Sequence, residues 1–208
     1  MAIQDLRDAG ITGKKANVIL NSVSHYTGFG YRLMNKQIRN GNTNSKYKGR
    51  IDAITKYLSV APKFDGTVYR GLALTPDQAS KLKVGGSFVD KAFMSTSAGK
   101  KQLGYFATGD SKNYMVKITI APPPTDDGVA IGHLSGSPEE LEVLHPMGTR
   151  LIIKAIKTTG RTIEIDAKYD TEHGLSGGGS GPAFVTAVPP GIKSPMLIRM
   201  MDGQEYYA

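Results

Sequence analysis

Apolar positions recur along this chain with two periods, and the change of period divides it. Tyr47, Ile51, Ile54 and Leu58 are spaced four, three and four apart, one face of a helix that Pro62 stops. Before it, residues 1–24 are helical in parts, interrupted by Gly10 and Gly13. The glycine-rich run His25–Arg32 then leads into a helix from Tyr31 to Arg39, closed by Asn40-Gly41-Asn42. The Tyr31–Arg39 helix and the helix of Tyr47 to Leu58 are expected to pack on a sheet and to carry no chemistry of their own.

Beyond residue 66 short apolar runs and alternation take over. Thr67–Leu72 reads as a strand, and Thr75-Pro76-Asp77-Gln78 opens a helix with Thr as N-cap, Pro at the first position and Gln at the third, ending at Gly85-Gly86. Phe88–Ser97 reads as one strand with a polar end. Tyr114–Ile120 alternates apolar and polar, a half-buried strand ended by Pro122-Pro123-Pro124. Asp126-Asp127-Gly128 turns the chain into the short strand Val129–Ile131, and Gly132–Pro138 is a loop. Thr149–Lys157 and Thr162–Ala167 pair across a turn at Thr159-Gly160. Helices first, strands afterwards and no regular βαβ alternation predict an α+β fold with a largely antiparallel sheet.

After Tyr169 the character changes. Residues 174–181 are rich in glycine and serine, and Pro182, Pro189, Pro190 and Pro195 follow. The expected division is a globular domain over residues 1–172 and a linker-like tail over 173–208, in which Met196–Met201 has strand character.

Composition narrows the function. With 208 residues, 39% hydrophobic and 21% charged, the chain can bury a real core. It contains no cysteine, which removes thiol nucleophiles, disulfides and Cys-ligated zinc. Its four histidines lack metal-ligand spacing, and neither a phosphate loop nor a dinucleotide fingerprint is present. No apolar run approaches the ~20 residues of a membrane helix, and the first residues do not read as a secretory signal. The net charge of +8 suits an anionic ligand or an acidic partner, although no basic block marks a nucleic-acid tail.

One stretch concentrates candidate chemistry: Glu140 and Glu142, two residues apart within Ser137–Pro146. In an extended strand both carboxylates would face one side, a cleft, while Leu141 and Val143 faced a core. Two close carboxylates repel, so one pKa should rise, as suits a group that stabilises a developing cation or moves a proton. A strand edge with its acids in water is the structural alternative.

Two further features precede the glutamates: Arg70 at the end of a strand and Ser95-Thr96-Ser97 at the end of another. Taken in this order, the three resemble the R-S-E signature of ADP-ribosyltransferases, the branch that includes cholera toxin and the clostridial actin-modifying toxins. The likeness covers roughly residues 20–170. It includes Tyr26-Thr27-Gly28 with Tyr31–Asn35, Val68–Leu72, Phe93–Ser97 and Glu140–Thr149.

The resemblance implies a mixed, largely antiparallel split β-sheet core with N-terminal helices, NAD as substrate and no metal. It implies an enzyme that moves ADP-ribose from NAD to an arginine of a target protein, since a glutamate rather than a glutamine stands first of the pair. Glu142 would stabilise an oxocarbenium-like ribose and hold its hydroxyl, and Glu140 would orient or deprotonate the nucleophile. Arg70 would hold phosphate, which a planar guanidinium can do bidentately. Ser95 would hydrogen-bond Glu142, while Thr96 and Ser97 stiffen the floor of an NAD site that also includes Tyr69 and Gly71. Phe106, with Tyr105 as alternative, would meet the nicotinamide. Relatives carry a target-reading aromatic before the first glutamate; here His133 or Leu134 stands nearest, so the target itself cannot be inherited.

The expected partners are a target protein with an acceptor arginine and an inhibitor, immunity or carrier protein, with no membrane and no required nucleic acid. The expected place of action is the cytoplasm of a host or target cell, reached without a leader by injection, export or phage infection. NAD glycohydrolase activity, or a non-catalytic binding or assembly role for the same fold, are the competing readings.

Overall fold

A computed structural model describes residues 2–42, 46–103, 112–122 and 128–170. The tail 173–208, the aromatic pair Tyr105 and Phe106, and the Asp126-Asp127 turn lie outside the described residues.

The N-terminal layer is helical: α1 (Ala2–Asp8), α2 (Gly13–His25), α3 (Tyr31–Arg39) and α4 (Lys48–Val60). Gly10 ends α1 in the left-handed region at φ 72°, where an L side chain would be strained. The glycine-rich run leads into a helix as expected. A π-helical turn, Tyr26–Gly30, joins α2 to α3 without interruption. Gly30 allows it, because a Cβ there would lie 2.4 Å from the His25 ring. Ala16, Ile19 and Val23 of α2 and Ile51, Ile54 and Leu58 of α4 are buried in one apolar core.

Eight strands follow: β1 (Val68–Leu74), β2 (Ser87–Val89), β3 (Met94–Ser97), β4 (Tyr114–Ile120), β5 (Val129–Ala130), β6 (Glu142–His145), β7 (Arg150–Thr159) and β8 (Thr162–Tyr169). Their order is β2-β7-β8-β4-β1-β3-β6-β5, antiparallel throughout except for the parallel pair β4 and β8. This is the α+β, largely antiparallel architecture that the patterning predicts.

The sheet is weakest between β1 and β3, which share one residue pair, Tyr69 with Ser97. The β2-β7-β8-β4-β1 half and the β3-β6-β5 half therefore part beyond that pair. One core joins Leu72, Val116, Ile118 and Ile165 of the larger half to Met94 and Val143 of the smaller. The other core places the helices on Phe93, Val129, Ile131 and Leu144.

Three local expectations are corrected. The helix opened by Thr75, α5 (Pro76–Ser80), has the expected capping box but stops before Gly85-Gly86. Those glycines form a turn bonded to Ile153 on β7 instead. Phe88–Ser97 is two strands, because the chain leaves the sheet at Asp90 to satisfy that buried carboxylate. The third correction concerns the glutamates. Glu140 is not in a strand: it ends a 3-10 turn, Pro138–Glu140, and Leu141 is left-handed at φ 49°, ψ 44°. Strand β6 begins only at Glu142. Alternation therefore does not relate the two acids, and Leu141 faces solvent, 50% exposed, rather than the core.

Candidate active site

Strand register decides which groups meet. Ser97 pairs with Glu142 and Ser95 with Leu144, so Ser95, Ser97 and Glu142 share the face of the sheet that the helices cover. Tyr69 pairs with Ser97 and brings Gly71 to the same face. Arg70, Thr96 and His145 alternate to the other face. Glu142 pairs with Ser97, and Ser97 with Tyr69, so Glu142 stands on the strand next to the place where β1 and β3 part.

Glu142 lies beside that gap, 2% exposed, and neither carboxylate oxygen has a hydrogen-bond partner among the described residues. Burial pushes its pKa up to about 7, and the Glu140 carboxylate pushes in the same direction. Ser95 draws the value partly back. The Ser95 hydroxyl does so as a hydrogen-bonding group beside the carboxylate. Ser95 Oγ also lies 3.5 Å from the Tyr26 hydroxyl.

Tyr26 supports the serine from the π-helical turn. It is fully buried, edge-on to Phe93 at 5.6 Å and to Tyr31 at 6.0 Å. Asn35 Nδ2 donates to its hydroxyl at 3.0 Å and to the Phe93 carbonyl at 3.3 Å. Burial, then the Glu142 charge, raises the phenol pKa, so Tyr26 stays neutral. The π-helical turn and α3 thus bring Tyr26 and Asn35 to the serine strand.

Arg70 is held by a residue the sequence reading missed. Asp90, 1% exposed, accepts from Arg70 Nη2 at 2.9 Å and from Arg39 Nη2 at 3.2 Å. It also accepts the Ala92 amide at 3.1 Å. One carboxylate thus fixes two arginines, one from β1 and one from α3. Arg70 Nη1 remains a buried donor with no partner among the described residues. An acid three residues before Phe93-Met94-Ser95-Thr96-Ser97 could have signalled a buried ion pair, but no local pattern names its partners.

The other hydroxyls are committed to the scaffold. Thr96 Oγ1 donates to the Val143 carbonyl at 2.9 Å, so it accepts from His145 Nε2–H at 3.0 Å. His145 Nδ1 then accepts from the Tyr169 hydroxyl at 3.5 Å. Burial, with Arg70 nearby, holds His145 down to about 3, a neutral ring that crosslinks β3, β6 and β8. Ser97 Oγ donates to the Glu140 carbonyl at 2.7 Å. Gly71 is buried and Tyr69 half-buried beside the gap, whereas Glu139 is exposed. His133 is exposed and Leu134 packs partly on the helical core, so His133 is the one presented before the glutamates.

The buried atoms without a partner among the described residues include two opposite kinds, a guanidinium nitrogen of Arg70 and both carboxylate oxygens of Glu142. Buried polar atoms are normally bonded, so such a set fits a ligand with anionic phosphates and a hydroxyl-bearing centre that becomes cationic. Among the described residues no His/Cys/Asp/Glu group of three could hold a metal ion.

The family model for the ADP-ribosyltransferase exoenzyme matches residues 14–171. "Putative NAD(+)--arginine ADP-ribosyltransferase Mav" of Mycobacterium avium (strain 104) is 30% identical over 148 residues, 69% of this chain and 17% of the relative. NAD(+)--protein-arginine ADP-ribosyltransferase Tre1 of Serratia proteamaculans (strain 568) is 31% identical over 139 residues, 65% of this chain and 28% of the relative. The chain thus spans less than a third of the length of these curated relatives. Among solved structures, the ADP-ribosyltransferase Vis from Vibrio splendidus, crystallised with an inhibitor, shares the fold at TM-score 0.66 and 22% identity. That match covers 84% of this chain and 85% of Vis. Vis has also been crystallised with agmatine, at TM-score 0.62 and 23% identity, covering 76% of this chain and 77% of Vis.

Proposed function

The chain belongs to the ADP-ribosyltransferase exoenzyme family, and from that premise we propose that it transfers ADP-ribose from NAD to an arginine side chain of a target protein. The observation that carries this reading is that Arg70 Nη1 and both oxygens of Glu142 are buried without a hydrogen-bond partner among the described residues. Arg70 binds phosphate through the free edge of its guanidinium while Asp90 holds the other edge. Glu142 accepts a hydroxyl of the nicotinamide-bearing ribose. The C–N glycosidic bond breaks, nicotinamide leaves with the electron pair, and the Glu142 carboxylate offsets the positive charge that builds on the ribose. Glu140 orients the guanidinium of the acceptor, whose nitrogen bonds to the anomeric carbon and gives up a proton. The names of Mav and Tre1 support arginine as acceptor, as does a Vis structure that contains agmatine, a guanidine.

Ser95, Tyr69, Gly71 and, outside the described residues, Phe106 or Tyr105 complete the NAD site in this reading. Thr96 and Ser97 serve it through β6 and the glutamate turn. We further place the action in the cytoplasm of a host or target cell, where NAD is available to a cysteine-free enzyme. An inhibitor, immunity or carrier protein is the natural control on such an activity.

The test is incubation with labelled NAD and a cell lysate. Label on protein that arginine-selective cleavage removes supports the transferase. Free nicotinamide without labelled protein in any lysate tried would instead favour a glycohydrolase. Glu140→Ala should lower transfer to an arginine acceptor at least ~10-fold more than NAD hydrolysis. Equal losses in both reactions would remove Glu140 from the acceptor side.

The pH profile is a separate check. The carboxylate form of Glu142 is required, and its pKa in the free protein is about 7. kcat/KM should therefore rise roughly tenfold per pH unit below that value and level off above it. Glu140→Gln removes the neighbouring charge and should move this limb to lower pH. A limb that stayed in place would mean that Glu140 does not act on Glu142.

A further inference from the structure

Leu141 is a bulky residue in the left-handed region, at φ 49° and ψ 44°, and the only non-glycine at positive φ among the described residues. An isoleucine-sized side chain is disfavoured there, by about 1–2 kcal/mol per residue. Such outliers persist where the surroundings over-determine them, and they gather at functional sites.

The surroundings here are explicit. Three successive carbonyls, of Glu139, Glu140 and Leu141, are each bonded from the segment that follows β3. Gln102 Nε2 donates to the Glu139 oxygen at 2.6 Å and Ser97 Oγ to the Glu140 oxygen at 2.7 Å. The Ala98 amide donates to the Leu141 oxygen at 3.0 Å. The Gly99 amide in turn holds Ser97 Oγ at 3.0 Å. The end of the serine strand thus clamps the turn and forces Leu141 left-handed.

The kink has a consequence for both acids. It turns Glu140 and Glu142 inward to 2% exposure each and turns the residue between them outward, 50% exposed. The Leu141 side chain lies over Gly99, where an added Cβ would be 3.1 Å from its Cδ1. An apolar surface therefore stands at the entrance between two buried carboxylates, an expensive arrangement for a side chain that could face the core.

We propose that Leu141 is the apolar wall against which the methylene stem of the acceptor packs, so that the site selects an alkyl guanidine rather than a bare guanidinium. This deepens the arginine-transferase reading and rests on it. A guanidinium drawn in by Glu140 must bring its three- or four-carbon stem past residue 141. A leucine there gains contact with that stem and is indifferent to NAD.

Leu141→Gly relieves the backbone strain and removes the wall, and Leu141→Asn tolerates the left-handed conformation while making the wall polar. Both should fold. With NAD saturating, the ratio of agmatine transfer to NAD hydrolysis should fall on the order of 10-fold in each variant, carried by KM for agmatine and not by kcat. Transfer to unsubstituted guanidine should not discriminate between wild type and variants, and Leu141→Met should restore most of the agmatine preference. An unchanged ratio, or equal losses for agmatine and guanidine, would overturn the assignment. Failure of the wild-type protein to modify any guanidine would sink the underlying transferase reading instead, so the two failures are distinguishable.

Discussion

Replacing Glu142 by glutamine is expected to cut NAD turnover by at least ~100-fold and, above pH 7, to make the protein more stable. The two effects have one cause. Glu142 is buried without a hydrogen-bond partner among the described residues, and its pKa is raised to about 7 by burial and by Glu140. The unfolded chain ionises it at the ordinary value of 4.5. Between these values the native state holds the proton that the unfolded state has lost, so stability falls as pH rises through that window. Glutamine carries no charge and escapes the loss. The gain at pH 8 should be roughly 1–3 kcal/mol, read as a rise in urea midpoint, and should vanish near pH 4. A variant that loses activity without gaining alkaline stability would show that Glu142 is not a strained anion in the free protein. If both effects appear, the native arrangement holds the carboxylate in a costly state that a developing cation would relieve.

Asp90→Ala should be the most damaging change to the scaffold, costing about 3–5 kcal/mol. Asp90 is 1% exposed and holds Arg70 at 2.9 Å and Arg39 at 3.2 Å. Its removal leaves two guanidinium groups facing one another, partly desolvated, and frees the Ala92 amide. Asp90→Asn keeps an acceptor for that amide but not the charge, and should lose less. Urea denaturation of the three proteins measures the order. A cost below ~1 kcal/mol for Asp90→Ala would mean that water reaches the arginines and that the triad is a surface feature. Arg70 would also lose its fixed orientation, so NAD binding should weaken even in protein that remains folded. The measurement thus separates an arginine positioned in advance from one that must search for its ligand.

Much was legible in the chain itself. The periods of the apolar residues located α4 and β4, because each buries mainly one face and one face has one period, while glycine, proline and turn signals bounded α3, β1, β7 and β8. The capping box at Thr75 was equally local, a hydroxyl and an amide three residues apart. The candidate residues Arg70, Ser95, Glu140 and Glu142 could be named from the chain but not their settings: Arg70 lies inside β1 rather than at a strand end, Ser95 lies inside β3, and only Glu142 opens a strand.

Other features depended on partners far along the chain. Tertiary structure alone decided that Asp90 binds Arg70 and Arg39, since charge pairing across 20 and 51 residues leaves no periodic trace. It decided that Tyr26 and Asn35 of the helical layer brace Ser95, because only the packed π-helical turn brings them to β3. And it decided the geometry of the glutamates. Alternation predicts two acids on one strand face, whereas bonds from Ser97, Ala98 and Gln102 bend residues 139–141 and start β6 at Glu142. Sequence determines what each segment would bury; which buried groups go unpaired, and so await a substrate, depends on the segments that close over them.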